Sequence, residues 1–273
     1  MDSSPSDRTE RQRDRIIRCE CIVLRRLDYS ETDRILTILT DRFGKMRVIA
    51  KGIRKPSARL AAHLELFSES RIVLSRGRDL DVVTGAETIN LHVGLRDNLA
   101  ALGAASHCVE LVDRFLADRD ENRVVYRNLV QTLRELDEGG NPDRISRAFE
   151  FQLLEQMGVR PELFDCVVCG RAVEAEPNRF SLRGGGVLCR EHASSDFGSP
   201  ELSLAAQKML RLLARGGRGE FMRVPLPESV ANEIELVLGL FVKHQLERDL
   251  LSQKVSRRVA ESLPDPWDHT STK

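Results

Sequence analysis

The spacing of three cysteines and one histidine constrains the fold more than any other feature of the sequence. Cys166 and Cys169 are separated by two residues, and Cys189 and His192 repeat that spacing. Each pair can point two donors at one ion from a tight turn, and residues 170–188 are long enough for a hairpin that brings the pairs together. Four protein ligands leave no position on zinc for water or substrate. The spacing therefore predicts a structural Zn²⁺ site and argues against a zinc enzyme.

Two other interpretations of these residues are weaker. A deaminase signature would combine an H-x-E motif, here His63 and Glu65, with the first cysteine pair. It requires proline before that pair, where this chain has Asp165, and its two halves lie far apart here. Redox-active thiols fit poorly with a histidine in the last position. A hydrolase or deaminase acting on nucleic acid would need zinc with only three protein ligands, so the ligand count decides that alternative.

The glycine run Gly184–Gly186 is not a phosphate-binding loop, because no Lys-Ser or Lys-Thr follows it. Its position between the cysteine pairs predicts the turn of the zinc hairpin. The remaining cysteines, Cys19, Cys21 and Cys108, lie within strand or helix patterns and are interpreted as packing residues.

Charge and hydropathy limit the location and the partners of the chain. Its 273 residues carry 42 basic and 42 acidic side chains, so the net charge indicates no partner and a nucleic-acid signal must be local. No apolar run is long enough for a transmembrane helix, and residues 1–15 predict a disordered leader and not a signal peptide. Together with metal-type cysteine usage, this predicts a cytoplasmic protein.

Five short runs rich in β-branched and aliphatic residues occupy residues 16–91. They predict a small five-stranded barrel. The OB type is the commonest such barrel for binding single strands, although spacing alone does not separate it from an SH3-like barrel. Helical periodicity follows, from Val93 to Leu116, from Asn122 to Leu136, and from the capping Asn141 to Gly158.

A helix is also predicted from Ser203 to the stop signal at Gly216 and Gly217, and a last one from about Pro227 to Leu251. The predicted fold is therefore α+β and multidomain, with a barrel at residues 16–91 and an all-α domain formed by residues 92–163 and 195–251. A zinc-binding insertion occupies residues 164–194, and residues 252–273 are a disordered tail.

A basic stretch lies within the predicted barrel. From Arg42 to His63 the chain has no acidic residue, and alternation along GKMRVIA places Lys45 and Arg47 on one face. Such a surface can bind successive phosphates with salt-dependent affinity, although a solvated charged face explains it equally well. Few aromatic rings accompany it, so binding would be weakly sequence-specific. The candidate DNA-binding residues in this stretch are Lys45, Arg47, Lys51, Arg54, Lys55 and Arg59.

Several motifs together resemble one known family. The segments SETDRIL and AKGIRK, and the later CVVCG and GGGVLCREH, are similar to those of the bacterial RecO family of DNA repair proteins. The resemblance extends from about Ile17 to Leu250. It implies an N-terminal OB-fold barrel followed by a helical domain that carries an inserted zinc module. It also implies a nonenzymatic recombination mediator that is associated with the nucleoid.

The resemblance further implies partners and contact residues. Members bind single- and double-stranded DNA, anneal complementary strands and, with RecR, help load RecA onto strands coated by the single-stranded DNA-binding protein. The DNA contacts of the family correspond here to Arg34, Lys45, Arg47, Lys51, Arg54 and Lys55. In many relatives all four zinc ligands are cysteines, whereas His192 takes the last place in this chain. The acidic C-terminal tail of the single-strand-binding protein is expected on the helical domain.

A second hypothesis belongs to another functional class. In it, the chain is a zinc-bearing adaptor whose main partners are proteins and whose basic face docks acidic protein tails. Binding to bare oligonucleotides discriminates between the two, because an adaptor of this kind does not require it.

Overall fold

The structure is a computed structural model that describes the backbone of residues 16–262 and the side chains of residues 16–247. The predicted leader and residues 263–273 of the predicted tail lie outside this range. The chain forms two compact units. Unit 1 contains the chain up to Arg160 together with Gly216–Val224, and unit 2 contains Pro161–Arg215 together with the chain from Pro225 onward. The domain boundaries given above stay predictions, because compactness does not establish which segments fold independently.

Unit 1 begins with a closed five-stranded barrel, which confirms the predicted OB fold. Its strands are β1 (Ile16–Asp28), β2 (Arg34–Thr40), β3 (Gly44–Ala50), β4 (Glu69–Ser75) and β5 (Asp81–Asn90). The strand order is β1-β2-β3-β5-β4, and β4 pairs again with β1. Every pairing is antiparallel except that of β3 with β5. This return of β5 to β3, and not the strand spacing, makes the barrel of OB type.

The barrel is filled by alternate side chains of its strands. Period-two alternation sends Leu36 and Ile38 of β2, and Met46 and Val48 of β3, into the same core, where each is at most 1% exposed. The sulfur of Cys19 is also buried, and this burial raises the pKa of its thiol to about 12. Inert, buried thiols at Cys19, Cys21 and Cys108 confirm the interpretation of these cysteines as packing residues.

Three α-helices complete most of unit 1: α1 (Leu99–Phe115), α2 (Arg123–Asp137) and α3 (Pro142–Gln156). The side chain of an asparagine caps the N-terminus of each, namely Asn98, Asn122 and Asn141. The cap at Asn98 shows why a single helix from Val93 was a wrong prediction. Residues 93–96 form a separate 3₁₀ turn, which ends before Asn98 begins α1.

Unit 2 contains a three-stranded sheet, one complete helix and part of another. Strands β6 (Asn178–Ser181), β7 (Gly186–Leu188) and β8 (Glu201–Leu202) pair in the order β7-β6-β8. Helix α5 (Glu228–Ser262) begins where predicted and extends past the predicted end at Leu251, into the region predicted to be a disordered tail. Phe180 of β6 packs edge-to-face on Phe241 of α5, with ring centroids 5.4 Å apart.

Helix α4 (Leu204–Arg223) contributes to both units. Gly217 interrupts it with φ 68° and ψ −173°, so the predicted stop is a real break, but helical residues resume afterwards. Within unit 1, Arg218 is buried and donates to Glu135 at 2.6 Å and to Thr132 at 3.0 Å. These bonds fix residues 216–224 to unit 1. No helix among the described residues is long and apolar enough to cross a membrane.

Candidate metal centre and nucleic-acid interface

The four predicted ligands lie together in unit 2. Their side-chain ligand atoms are all within 4.8 Å of one another. The sulfurs of Cys169 and Cys189 are 3.9 Å apart, and His192 Nδ1 lies 3.2 Å from the sulfur of Cys189 and 3.9 Å from that of Cys166. Three thiols and one imidazole facing one point form a donor set that can hold a metal ion.

Backbone hydrogen bonds shape each pair of ligands. The Gly170 amide donates to the Cys166 carbonyl at 2.8 Å, and the Cys166 amide donates to the carbonyl of Arg171 at the same distance. Gly170 adopts φ 69°, a conformation that glycine reaches without steric cost. In the second pair, the His192 amide donates to the Cys189 carbonyl at 3.0 Å. Each pair is therefore a tight turn, as the spacing predicted.

Strands β6 and β7 form the predicted hairpin between the two pairs of ligands. Their register pairs Arg179 with Leu188 and Ser181 with Gly186, and residues 182–185 make the turn. A Cβ at Gly186 would collide with the carbonyl oxygen of Glu162. The glycine run thus serves the turn and a close backbone approach, which confirms its interpretation as the hairpin turn.

The thiols differ in how easily they ionise. Burial opposes ionisation of Cys166, but backbone amides of neighbouring residues outweigh it and lower the pKa of this thiol to about 7. The Arg171 side chain donates to the sulfur of Cys169 and lowers the pKa of that thiol. Burial raises the pKa of Cys189. Cysteine binds a metal ion as the thiolate. Cys166 and Cys169, with lowered pKa values, therefore reach the metal-binding form at lower pH than Cys189.

The basic stretch of the barrel lies on β3 and on the loop that follows it, here called the basic loop (residues 51–60). Arg47 is exposed on β3, and Lys51, Lys55 and Arg59 are exposed in the basic loop. Among the described residues, none of these four side chains has an ion-pair partner. These four side chains are exposed, although Asp33 lies near enough to Lys51 and Lys55 for its carboxylate to interact with both charges.

Lys45 differs from its neighbours on β3. Its side chain is only 11% exposed, and its ammonium lies 3.2 Å from the carboxylate of Asp113 and 3.7 Å from that of Asp118. It also donates to the Asp113 carbonyl at 2.5 Å. Strand alternation alone placed Lys45 beside Arg47 on an outer face, but the chain after α1 covers Lys45 and offsets its charge.

Arg34 and Arg54 share one carboxylate. Arg34 Nε lies 2.8 Å from Asp28 Oδ1, and Arg54 Nε lies 3.5 Å from Asp28 Oδ2. The hydrogen bond from Arg34 is the main reason that the pKa of Asp28 is lowered. Both arginines remain at the surface, but part of their charge is offset. These ion pairs had no local signal in the sequence, because Asp28 precedes the acid-free stretch.

The SETD turn (residues 30–33), which joins β1 to β2, holds the basic loop in place by hydrogen bonds. Asp33 Oδ1 accepts a hydrogen bond from the Gly52 amide at 2.8 Å, and this bond is the main cause of the lowered pKa of Asp33. The Arg54 amide donates to the Thr32 carbonyl at 3.0 Å, and its guanidinium donates to the Ser30 carbonyl at 2.7 Å. The two most specific N-terminal motifs of the sequence therefore form one local structure.

Comparisons with known proteins cover most of the chain. Residues 15–92 match the family model described as "Recombination protein O N terminal", and residues 96–254 match the one described as "Recombination protein O C terminal". A "DNA repair protein RecO" from Roseiflexus sp. strain RS-1 is 40% identical over 237 residues, which are 87% of this chain and 83% of the relative. One from Exiguobacterium sibiricum is 36% identical over 248 residues, 91% of this chain and 97% of the relative. One from Dehalococcoides mccartyi strain BAV1 is 31% identical over 230 residues, which are 84% of this chain and 90% of the relative.

Proposed function

The chain belongs to the RecO family of DNA repair and recombination proteins, and from this premise we propose that it is a nonenzymatic recombination mediator. It binds single- and double-stranded DNA and anneals complementary strands. Together with RecR it helps load RecA onto strands coated by the single-stranded DNA-binding protein, whose acidic C-terminal tail it contacts. In this proposal the protein acts in the cytoplasm, at the nucleoid.

The observation that carries this proposal is the set of unpaired cations on one barrel surface. Arg47, Lys51, Lys55 and Arg59 are exposed, and the SETD turn fixes the loop that bears three of them. Cations that bind successive phosphates hold a strand without reading its sequence. The bases then stay free to pair with a second strand, which annealing requires.

The seven predicted DNA-contacting residues contribute unequally in this proposal. The four unpaired cations contact phosphates most directly. Arg34 and Arg54 contribute less, because Asp28 offsets part of their charge. Lys45 contributes least, since it is mostly covered and lies between two carboxylates.

We assign Zn²⁺ to the candidate metal centre, with Cys166, Cys169, Cys189 and His192 as its ligands. Tetrahedral zinc with sulfur at roughly 2.3 Å separates its ligand atoms by about 3.8 Å. The separation of 3.9 Å between the sulfurs of Cys169 and Cys189 supports this assignment. A bound zinc would link the two turns, and its four protein ligands leave no position for substrate. Its role is therefore structural.

The experiment that tests this function measures DNA binding and annealing of the double variant Lys51→Ala/Lys55→Ala. We expect weaker binding to unrelated single strands and a log-log salt slope that is flatter by about 1.4, at about 0.7 per lost phosphate contact. Annealing of complementary strands, bare or coated by the single-strand-binding protein, should slow in parallel.

The matched control is Arg18→Ala/Arg71→Ala, which removes two exposed cations from β1 and β4, where Glu20 and Glu87 lie beside Arg71. It should bind DNA like the wild type. Unchanged DNA binding of the basic-loop variant would contradict the proposed surface. If the wild type bound an acidic tail peptide but no oligonucleotide, the chain would instead be a protein adaptor.

A further inference from the structure

Unit 2 carries a second group of cations, on the part of α4 that precedes Gly217. Lys208, Arg211 and Arg215 follow one another at steps of three and four residues, so they share one face of the helix. Two of them lie against one aromatic ring. The guanidinium carbon of Arg215 is 4.2 Å from the ring centroid of Phe164, and that of Arg211 is 5.1 Å from it.

The ring and one backbone carbonyl hold the two arginines in place, and the nearby carboxylates of Glu162 and Asp165 offset part of the charge of Arg211. Arg211 Nε donates to the Leu163 carbonyl at 2.7 Å, which fixes this guanidinium and leaves its terminal nitrogens available. Within residues 16–247, no carboxylate forms an ion pair with either guanidinium. The carboxylate of Glu162, two residues before Phe164, is already bound to the backbone. Its Oε1 accepts hydrogen bonds from the amides of Phe164 and Asp165.

This arrangement is costly for the protein alone. Burial lowers the pKa of Arg211, and the charge of Arg215 lowers it further. Two like charges against one ring repel each other, and an anion between them would remove that repulsion. A guanidinium presents its donors in a planar fork that matches a phosphate, and stacking on a ring keeps this fork in a fixed plane. The cluster is therefore suited to an oxyanion.

We propose that Phe164, Arg211 and Arg215 form a second DNA-binding site, which takes a phosphate of the nucleic-acid backbone on unit 2. This inference rests on the proposed function, because DNA is the polyanion that a member of this family must bind. The basic loop of the barrel and this arginine pair belong to different compact units. One chain can then contact DNA at two separate places, either along one strand or on two strands to be annealed.

A simpler role for the arginines would be to cover the ring of Phe164 with their aliphatic stems. That role needs no anion, so a salt-dependent DNA measurement separates the two explanations. The test uses the full chain with zinc bound and a fluorescent oligothymidylate, whose affinity is measured over a range of salt concentrations. The variant is Arg215→Ala, since Arg211 also supports the backbone beside the first metal ligand.

We expect Arg215→Ala to flatten the log-log salt slope by about 0.7, the effect of one lost contact with a single strand. Arg215→Lys should retain most of the slope but bind more weakly, because lysine keeps the charge and loses the planar stack. The matched control is Lys243→Ala, which removes one exposed cation of α5 in the same unit that makes no cation–π contact among the described residues. It should leave the slope unchanged. Zinc content and circular dichroism show whether each variant is folded.

Three outcomes would be decisive. If Arg215→Ala keeps the wild-type slope while the basic-loop variant Lys51→Ala/Lys55→Ala loses its contacts, the second site is overturned and the proposed function stands. If the wild type binds no DNA, the proposed function fails first. If Arg215→Ala weakens binding of a polyglutamate peptide but not of the oligonucleotide, the arginine pair docks an acidic protein and the DNA site is wrong.

Discussion

The barrel of unit 1 and the metal-bearing segment of unit 2 reach an ordered structure by different means. The barrel closes five strands around a continuous core of buried aliphatic side chains. The segment from Glu162 to Leu202 has three strands of two to four residues, and its two turns converge on three thiols and one imidazole. Phe180, Val187 and Leu188 bury apolar surface there, and we expect a bound metal ion to supply the remaining order.

The cations of the two units also differ in their interaction partners. In the barrel, Asp28, Asp113 and Asp118 approach three of the predicted DNA contacts, and only some cations remain unpaired. In unit 2, Arg211 and Arg215 share an aromatic ring and no carboxylate. The number of basic residues in a segment of the sequence therefore does not predict the positive charge at the surface that DNA would contact. Four predictions sharpen this comparison.

The largest effect is expected from Cys166→Ser. Structural zinc contributes about 10 to 16 kcal/mol of apparent binding free energy in small zinc domains, so this variant should lose zinc and unfold residues 162–202. The barrel should keep its protection in hydrogen exchange, since its core does not include the metal. Zinc content per chain and exchange of the two regions measure this. Cys108→Ala, which removes a buried thiol of α1, should retain zinc; a full complement of zinc in Cys166→Ser would rule out the ligand assignment.

The converse change is Ile38→Ala in the barrel. This side chain is fully buried, and its loss leaves a cavity that should cost about 2 to 5 kcal/mol. Chemical denaturation should show a destabilised barrel, while zinc content stays at the wild-type level. Leu27→Ala, at a side chain that is half exposed, should change the unfolding free energy by less than about 0.5 kcal/mol. Loss of zinc in Ile38→Ala would mean that the two regions do not order independently.

A smaller effect should follow from Asp28→Asn, which removes the carboxylate that Arg34 and Arg54 share. The two freed guanidinium groups should steepen the salt slope of DNA binding by at most about 1.4 and tighten binding at low salt. Glu87→Gln removes a carboxylate that pairs with Arg71 elsewhere on the barrel, and it serves as the control. An Asp28→Asn variant with wild-type affinity and slope would place Arg34 and Arg54 outside the DNA interface.

The smallest effect concerns His92, which is buried after β5. Burial lowers the pKa of this imidazole below its ordinary value of 6.5, so the folded state favours the neutral ring. The unfolded chain then binds more protons as the pH falls below about 6.5, and unit 1 loses stability in that range. The melting temperature of the wild type should fall more between pH 7.5 and 5 than that of His92→Asn. Asparagine also tolerates the left-handed backbone at this position, where φ is 47°. Equal pH slopes would contradict the prediction.

Much of the local structure could be predicted because it depends on neighbours in the sequence. Runs of β-branched and aliphatic residues predicted the five barrel strands, and the asparagine before Pro142 marked the start of α3. The ligand spacing predicted which four side chains would meet, because a two-residue gap makes a tight turn in almost any surroundings. The break at Gly217 could be predicted for the same reason, since glycine tolerates a backbone that other residues avoid.

Other features depended on contacts between distant residues. The sequence did not indicate that helical residues after Gly217 would join unit 1, because Glu135 and Thr132 lie far from Arg218 along the chain. The same holds for the ring of Phe164 that Arg211 and Arg215 share, because the two arginines lie far from Phe164 along the chain. The periodicity of a sequence does not specify which residues will be in contact across the core.

Short patterns of residue type and spacing were therefore enough to predict the cluster of three cysteines and one histidine, the barrel strands and the family. The closure of the barrel and the pairing of its cations could be seen only in the folded chain. Closure requires β5 to pair directly with β3, although β4 separates them in the sequence, and the charge of Lys45 is offset by Asp113 from a helix beyond the barrel. Electrostatic energy depends on distance in space, and a linear sequence does not contain that distance.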